Sequence, residues 1–379
     1  MLFTFFGNQF HIFEIPLLLI LSIFFIYRRL VLKEKSPGIL LQHKKDLSLF
    51  CAGFILLLII KIIGFTVAID QFLVFKDLLK WIEISVFVFL AFQFNYLKYL
   101  YWLLFLIHFV PITISLVVSI INMNLFSGYR ILPGYPSVYS FSLLLPFMKK
   151  NYFISFLCLI FITASVMSIT RGVWLSLGVV LAYFLFVRFK EDKKYALKLL
   201  GIFLLVVLVA INIPDVNHNI HKRTINPLIT KDASNFERTG MIFACMDIFK
   251  NHPLVGIGSG NFAEYLSKNP FLFKDKYLSI PKNMAPHAFL FQLMAENGIF
   301  GLIAMLMMLY ILSKLLFDKK YYLRLKKNKE YILGLKMFYL VFMIHLFFGY
   351  ISGSSRLVFG ILIGLILSLI KNKNSIMGV

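Results

Sequence analysis

The sequence is poor in acidic residues, in cysteine and in the residue pairs that hold metal ions. It has 17 Asp and Glu against 39 Lys and Arg, and only 15% of its residues are charged. Its three cysteines, Cys51, Cys158 and Cys245, are scattered, which is not the pattern of a disulfide framework or a cysteine metal site. It has no Asp-x-Asp pair, and the histidines of its long polar stretch lack partners at ligand spacing. We therefore expect neither a metal nor another cofactor.

Apolar residues are abundant instead, at 60% of the chain with 17% aromatic. Many form continuous runs that approach the roughly 20 residues of a membrane-crossing helix, and they do not alternate as barrel strands do. Because lipid admits only helices and closed barrels, we predict an all-α, polytopic integral-membrane helical bundle. It forms a single membrane domain over residues 1–379 with about 11 (10–12) transmembrane helices. The predicted spans are 12–32, 47–67, 78–94, 99–121, 134–148, 152–169, 172–189, 196–213, 288–313, 331–350 and 356–370.

The distribution of basic residues orients these spans. With the N-terminus outside, 24 of the 39 basic residues fall in short loops on one side and only five on the other. The positive-inside rule makes the first side cytoplasmic, so the net charge of +22 indicates inward-facing loops and no nucleic-acid partner. The polar stretch 214–287 is then a large periplasmic or extracytoplasmic loop. Lys61 lies near the outer end of its span and can snorkel to the interface.

Three of the five basic residues in the short outer loops are arginines: Arg130, Arg171 and Arg356. A guanidinium can give two parallel hydrogen bonds to phosphate oxygens, whereas lysine offers a point charge. These arginines therefore have two interpretations, contact with an anionic substrate or anchoring to the headgroups of membrane lipids.

The loop 214–287 contains a predicted helix with a cation on its apolar face. Ser234-Asn235-Phe236-Glu237 has the pattern of a capping box, which indicates a short amphipathic helix near 236–250. Its apolar residues from Met241 to Phe249 share one face at helical spacing, and Arg238 projects onto the middle of that face. Arg238 is therefore expected either to snorkel at the membrane interface or to face an anionic ligand.

The end of the loop carries glycines and a histidine. Gly256, Gly258 and Gly260 predict a turn whose amides can approach another group closely, but the spacing is not that of a nucleotide-binding fold. His287 opens the next span and is either a helix cap or a catalytic group. Glu296 lies nine residues later, which is ~13 Å along a continuous helix and half a turn out of phase. We expect Glu296 to pair within the bundle rather than to orient His287.

Several motifs together resemble the shared domain of bacterial O-antigen ligases and polymerases, over roughly residues 130–310. They are Arg238, the glycine-rich segment His252–Phe262, and the segment His287–Gly301. Ser168–Trp174 matches an S-x-x-R-G-x-W turn between two spans, and Arg130–Ser137 is a looser match to an upstream element. Their order and spacing make the resemblance more specific than any one motif. One position departs from it, because Ala288 stands where the family usually has asparagine.

The resemblance implies a glycosyltransferase of the C-type, embedded as a multi-pass protein in the bacterial cytoplasmic (inner) membrane and active on the periplasmic or extracellular face. The donor would be a glycan on undecaprenyl diphosphate. The acceptor would be a hydroxyl of a lipid or glycan, which is lipid A–core for a ligase and another repeat unit for a polymerase. The transfer needs no metal.

Such a transfer requires stabilisation of the diphosphate leaving group and activation of the acceptor hydroxyl. Arg171 and Arg238 suit the first role, with Arg130 and Arg356 as further candidates. His287 suits the second, because a histidine with an unperturbed pKa of about 6.5 accepts a proton at neutral pH.

Three functions compete at this point. A ligase of the O-antigen type is the preferred one, and a polymerase of repeat units shares every residue named for it. The third is a transporter of lipid-linked glycans, in which cationic residues would line a cavity across the membrane. The predicted spans hold few charges near their centres, whereas a transporter is expected to place ionisable residues inside several spans.

Overall fold

The computed structural model describes residues 44–93, 97–121, 134–168, 170–212, 233–269, 286, 288–318, 328–348 and 353–369. Every regular element in these residues is a helix. The α-helices, in chain order, are α1 Lys44–Ile63, α2 Gln71–Gln93, α3 Leu97–Ile121, α4 Gly134–Leu144, α5 Tyr152–Met167, α6 Arg171–Glu191, α7 Lys193–Ile211, α8 Ala233–Asn251, α9 Phe262–Lys268, α10 Phe289–Phe317, α11 Lys329–Phe348 and α12 Gly353–Ser368. Short 3-10 turns at Gly64–Thr66 and Leu145–Lys150 follow α1 and α4.

Five helical segments in the described part of the chain are long and apolar enough to cross a membrane: Lys44–Thr66, Leu97–Ser115, Arg171–Glu191, Phe289–Phe317 and Lys329–Phe348. Two shorter apolar helices, Tyr152–Met167 and Arg356–Ser368, accompany them. The part of the chain that the structure describes thus agrees with the predicted all-α membrane protein. The total of about 11 spans stays a prediction, because segment 12–32 lies outside the described residues.

The helices form two compact units. Unit 1 contains α1, α2, α8, α9, α10 and α12, and unit 2 contains α3 from Tyr101 onward, α4 to α7 and α11. Both units draw on distant parts of the chain. The prediction of a single membrane domain over residues 1–379 stays a prediction.

Unit 1 rests on two close helix pairs, α2 with α12 and α1 with α10, and α8 also packs against α10. In α12, Gly360 and Gly364 are four residues apart and share one face. A Cβ added to either would come within 2.5 Å of the Cβ of Phe87 or Ala91 on α2. Small residues at this spacing let two helix backbones approach closely, which is a common packing mode in membranes.

Unit 2 packs α4 against α5, and α11 against α6 and α4. Its interior holds aromatic and polar side chains together. The Tyr139 hydroxyl lies 3.0 Å from His345 Nδ1, and the ring of Tyr135 stacks on His345 with centroids 4.0 Å apart. The Tyr101 hydroxyl donates to the carbonyl of Leu143, so α3 is tied to the end of α4.

Candidate functional site

The helix α10 is broken near its beginning. The sequence predicted one continuous span from 288, but Gly298 has φ +64° and ψ −164°, far from helical values. The break separates a first segment, Phe289–Asn297, from a longer segment that runs from Ile299 to Phe317. A broken helix leaves carbonyl and amide groups without their partners one turn away.

The glycine-rich loop Pro253–Asn261 supplies those partners. The amide of Ile257 donates to the carbonyl of Ala295 at 3.2 Å, and the amide of Gly258 donates to the carbonyl of Glu296 at 3.0 Å. In return, the amide of Ile299 donates to the carbonyl of Pro253 at 2.8 Å. In an unbroken helix, Ile299 would have donated to Ala295. The loop therefore replaces one turn of helix hydrogen bonding, and the amides of residues 257 and 258 bind protein carbonyls.

Two glycines make this docking possible. Gly256 has φ +74°, and a Cβ there would lie 2.4 to 2.6 Å from backbone atoms of residues 295–297. A Cβ at Gly298 would lie 2.2 Å from the carbonyl oxygen of Leu254. Both the left-handed conformation and the backbone contact require glycine. The sequence predicted a close approach by this loop, and the partner is the break in α10.

A buried side-chain network fastens the loop from the other side. Lys61, in the last turn of α1, is only 2% exposed. Its Nζ lies 2.6 Å from Asp77 Oδ2 and donates to Ser259 Oγ at 3.0 Å. Ser259 Oγ in turn donates to Asn297 Oδ1 at 2.6 Å. The network thus connects α1, α2, the loop and the break in α10, and the prediction that Lys61 snorkels to the interface is wrong.

Two further side chains hold the ends of the loop. Asn261 accepts from the amide of Asp70 at 2.8 Å and donates to its carbonyl at 3.1 Å, so it fastens the connection between α1 and α2. The Glu296 carboxylate accepts from the amide of Phe262 at 3.3 Å and from Gln292 Nε2 at 3.1 Å. Glu296 is therefore paired within its own unit, as predicted.

The helix α8 leads directly into this loop. It spans Ala233–Asn251 and covers the stretch 236–250 where a helix was predicted. Its buried face includes Ala244, Cys245 and Ile248, which form a core cluster with Ile257 of the loop and Ala295 of α10. Arg238 lies half-buried one turn before this face. The loop is therefore joined covalently to the helix of Arg238 and by hydrogen bonds to α10.

In unit 2, Arg171 is the first residue of α6 and is exposed. The sequence pattern around it, Ser168–Trp174, has local structural reasons. Trp174 Nε1 donates to the carbonyl of Val166 at 3.0 Å, and Ser168 Oγ donates to the carbonyl of Ser165 at 2.8 Å. A Cβ on Gly172 would collide with the hydroxyl of Tyr135. These contacts hold the turn that presents Arg171.

An arginine at the start of a helix needs an explanation other than helix stability. The helix dipole is positive at this end, so a cation there is unfavourable by a few tenths to about 1 kcal/mol. The same dipole and the free amides of the first turn favour an anion. The position of Arg171 is therefore suited to binding a negatively charged group.

The other predicted site residues have different outcomes. Arg356 is 6% exposed and its Nη1 lies 2.8 Å from Glu83 Oε2, so it forms a partly buried ion pair between α12 and α2. Arg130 and His287 lie outside the described residues. Ala288 is the N-cap of α10 and makes no side-chain capping hydrogen bond, whereas an asparagine, which the family usually has here, is among the best N-cap residues.

The sequence reasoning missed the Lys61 network. A lysine inside an apolar span, followed 16 residues later by Asp77, was the available signal, because a buried lysine needs a partner. Ser259 and Asn297 belong to motifs that were noted for their glycines and for Glu296. Nothing in the local pattern indicates that these residues contact Lys61.

Comparison with known proteins supports the motif analysis. Residues 156–306 match the family model described as "O-Antigen ligase". The matched range includes Arg171, Arg238, the loop Pro253–Asn261 and the break in α10. A search of the curated proteins gave no match. The resemblance to the O-antigen ligase and polymerase family, first indicated by the motifs, is thus confirmed over residues 156–306.

Proposed function

We propose that this protein transfers a glycan from undecaprenyl diphosphate to an acceptor hydroxyl on lipid A–core, at the outer face of the cytoplasmic membrane and without a metal. The observation that carries the proposal is the match of residues 156–306 to the O-antigen ligase family. That range contains Arg171, Arg238 and His287, the three residues whose chemistry fits the reaction.

The diphosphate leaving group takes on negative charge as the glycosidic bond breaks. Arg171 and Arg238 stabilise that charge, since each guanidinium can hold two phosphate oxygens at once. The position of Arg171 at the start of α6 supports this role, because the helix end favours the same anion.

Arg130 is a further candidate for the diphosphate. Arg356 is a weaker one, because its charge is already paired with Glu83. His287 removes the proton from the acceptor hydroxyl as that oxygen attacks the anomeric carbon of the donor sugar. The products are the glycosylated acceptor and undecaprenyl diphosphate, which carries the negative charge away.

The proposal is tested by comparing a deletion strain with strains that carry Arg171→Ala, Arg171→Lys, Arg238→Ala and Arg238→Lys at equal protein levels. For a ligase, the deletion strain accumulates lipid-linked polymer and its lipopolysaccharide core lacks long chains. Alanine variants are expected to give the same pattern and lysine variants to recover little, since a point charge cannot replace the two-pronged contact. Near-normal transfer by both lysine variants would contradict the diphosphate role.

The same strains separate the alternatives. A core that carries a single repeat unit identifies a polymerase. A loss of lipid-linked glycan from the outer leaflet, with normal transfer once the donor is supplied there, identifies a transporter. An unchanged glycan profile contradicts both the ligase and the polymerase.

A further inference from the structure

We propose that Lys61, held by Asp77, is a positioning residue for glycan transfer. Through Ser259 and Asn297 it fixes the loop Pro253–Asn261 against the break in α10, and so sets the helix of Arg238 relative to the helix that follows His287. This inference rests on the proposed function.

The geometry of the network supports this role. The loop contacts α10 through three backbone hydrogen bonds. These bonds hold only the side of the loop that faces α10. On the side of α1, Lys61 Nζ donates to Ser259 Oγ at 3.0 Å. Ser259 Oγ donates to the side chain of Asn297, the residue just before the break. The loop is thus held between two helices by bonds with defined directions.

A need for stability alone does not account for a charge at this position. Lys61 is buried, and its ammonium group is paired with Asp77 at 2.6 Å and lies 5.2 Å from the centre of the Trp81 ring. Replacing such a buried pair by apolar residues of similar size is often neutral or stabilising. A hydrogen bond from an ammonium group is instead shorter and stronger than one between neutral groups, so it holds the Ser259 hydroxyl firmly in place. The buried lysine is therefore suited to fixing the orientation of Ser259.

Small movements of the loop become larger displacements at the proposed catalytic groups, because those groups lie far along the helices that the loop holds. Arg238 precedes the end of α8 by 13 residues, or about 20 Å of helix. His287 precedes Glu296 by nine residues, or about 13 Å if that segment is helical throughout. A displacement of ~1 Å at the reacting groups can reduce turnover by about 10²-fold. Loosening the loop should therefore reduce turnover while the groups that bind the donor remain present.

The test uses variants that remove the network but keep the fold. In Lys61→Met/Asp77→Leu both charges disappear, so that no unpaired charge is left buried. Ser259→Ala removes the hydroxyl that links Lys61 to Asn297 and leaves the Lys61–Asp77 pair in place. For both we expect kcat to fall by about 10–100-fold, with the KM for the donor and the amount of folded protein nearly unchanged.

The matched control lies at the other end of the same two helices. Lys314 on α10 lies 2.6 Å from Asp46 on α1, and neither residue takes part in the proposed chemistry. Lys314→Met/Asp46→Leu should leave kcat and KM at the reference values.

A second measurement reports on the loop without using transfer. Cys245 is fully buried in the cluster beneath Ile257 and Phe262, and Cys158 is fully buried in unit 2. In a Cys51→Ser background, the purified protein is treated with a small thiol reagent. Both network variants should label faster at Cys245, while Cys158 and the control variant should label at the reference rate.

The outcomes separate the two proposals. If the reference protein transfers glycan and Arg238→Ala does not, but Lys61→Met/Asp77→Leu and Ser259→Ala transfer at the reference kcat, the positioning role is wrong and the proposed function stands. Unchanged labelling of Cys245 in both network variants also overturns the positioning role. If the reference protein transfers no glycan from the lipid diphosphate, the proposed function fails and the positioning role fails with it.

Discussion

The two ends of the α1–α10 helix pair are built in different ways. At the predicted cytoplasmic end, Asp46 and Lys314 form an ion pair in which Lys314 is 42% exposed. At the predicted outer end, Lys61 is buried, α10 is broken, and a loop from elsewhere in the chain fills the break. An ion pair whose lysine is in contact with water is screened by solvent and contributes little, about 0–1 kcal/mol, whereas the buried network consists of stronger, charge-assisted hydrogen bonds. The difference indicates that the outer end is organised to hold the loop Pro253–Asn261.

The two ends also differ in their backbone. After Ile299, α10 continues to Phe317 as a regular apolar helix. Before it, two polar side chains and one glycine interrupt the pattern in Glu296-Asn297-Gly298. Membrane helices tolerate such breaks only where protein groups satisfy the freed backbone, and the loop does so here. This broken, polar helix end follows His287 in the sequence, and it is where we expect function to depend on geometry.

The prediction with the largest expected effect concerns the membrane side that each end of the α1–α10 helix pair faces. Single cysteines at Ser267 and at Asn328, in a background without native cysteines, are treated with an impermeant thiol reagent in cells with a permeable outer envelope. We expect labelling at Ser267 and none at Asn328, because the positive-inside rule places the basic segment 314–336 in the cytoplasm. Lysed cells, in which both positions label, are the control. The reverse pattern would place the loop 214–287 in the cytoplasm and contradict the proposed site.

The next effect concerns His287, which precedes the broken end of α10. If His287 is the general base, His287→Ala should lower turnover by about 10²–10⁴-fold and leave donor binding nearly unchanged. If it only caps the helix, alanine should reduce the yield of folded protein and leave the activity per folded molecule intact. Transfer rate and purified yield are measured together. A well-folded variant with normal transfer would exclude the catalytic role.

The third prediction concerns a substitution that disturbs the backbone at the outer end of the helix pair. Gly298→Ala should destabilise the protein by about 2–6 kcal/mol, the combined range for a conformation restricted to glycine and for overpacking. Gly178 is the matched control, because it lies in the middle of α6 and a Cβ there meets nothing within 4 Å. Gly178→Ala should be neutral or slightly stabilising. Unfolding of both variants is followed by SDS titration of the detergent-solubilised protein, and equal stability would contradict the backbone argument.

The prediction with the smallest expected effect compares the stability that is lost when the aspartate of each ion pair is replaced. Asp77→Asn leaves Lys61 buried without its counter-charge and should cost about 3–5 kcal/mol. Asp46→Asn leaves the partly exposed Lys314 in contact with water and should cost about 0–1 kcal/mol. The same SDS titration measures both. Similar costs at the two ends would mean that the outer network is no more than an ordinary helix contact.

The sequence allowed the helices and the site motifs to be predicted because each has a local cause. An apolar run such as that of α6 must be helical in lipid, since no other structure satisfies its backbone there. The prediction for α10 placed the span over 288–313, whereas the helix covers Phe289–Phe317, and it was wrong in the continuity of the helix. A single glycine in a membrane helix is common, so Gly298 alone did not indicate a break.

The contacts of the Lys61 side chain could not be predicted from the sequence. Lys61 looked like a residue that reaches the interface, because its position near a span end allows this. Its partners Asp77 and Ser259 lie 16 and 198 residues away. No periodicity or spacing connects positions so far apart, and a single sequence holds no information on which loop covers which helix end.

By itself, the sequence determined that this chain is helical, lies in the membrane and carries the motifs of the O-antigen ligase family, because hydropathy, span length and motif spacing are local properties. Only the tertiary structure decided that the glycine-rich loop completes the broken α10 and that Lys61 is buried beneath it. The reason is that a backbone group freed by Gly298 takes whichever partner folding brings within hydrogen-bonding distance. Here that partner is a loop about 40 residues earlier in the chain.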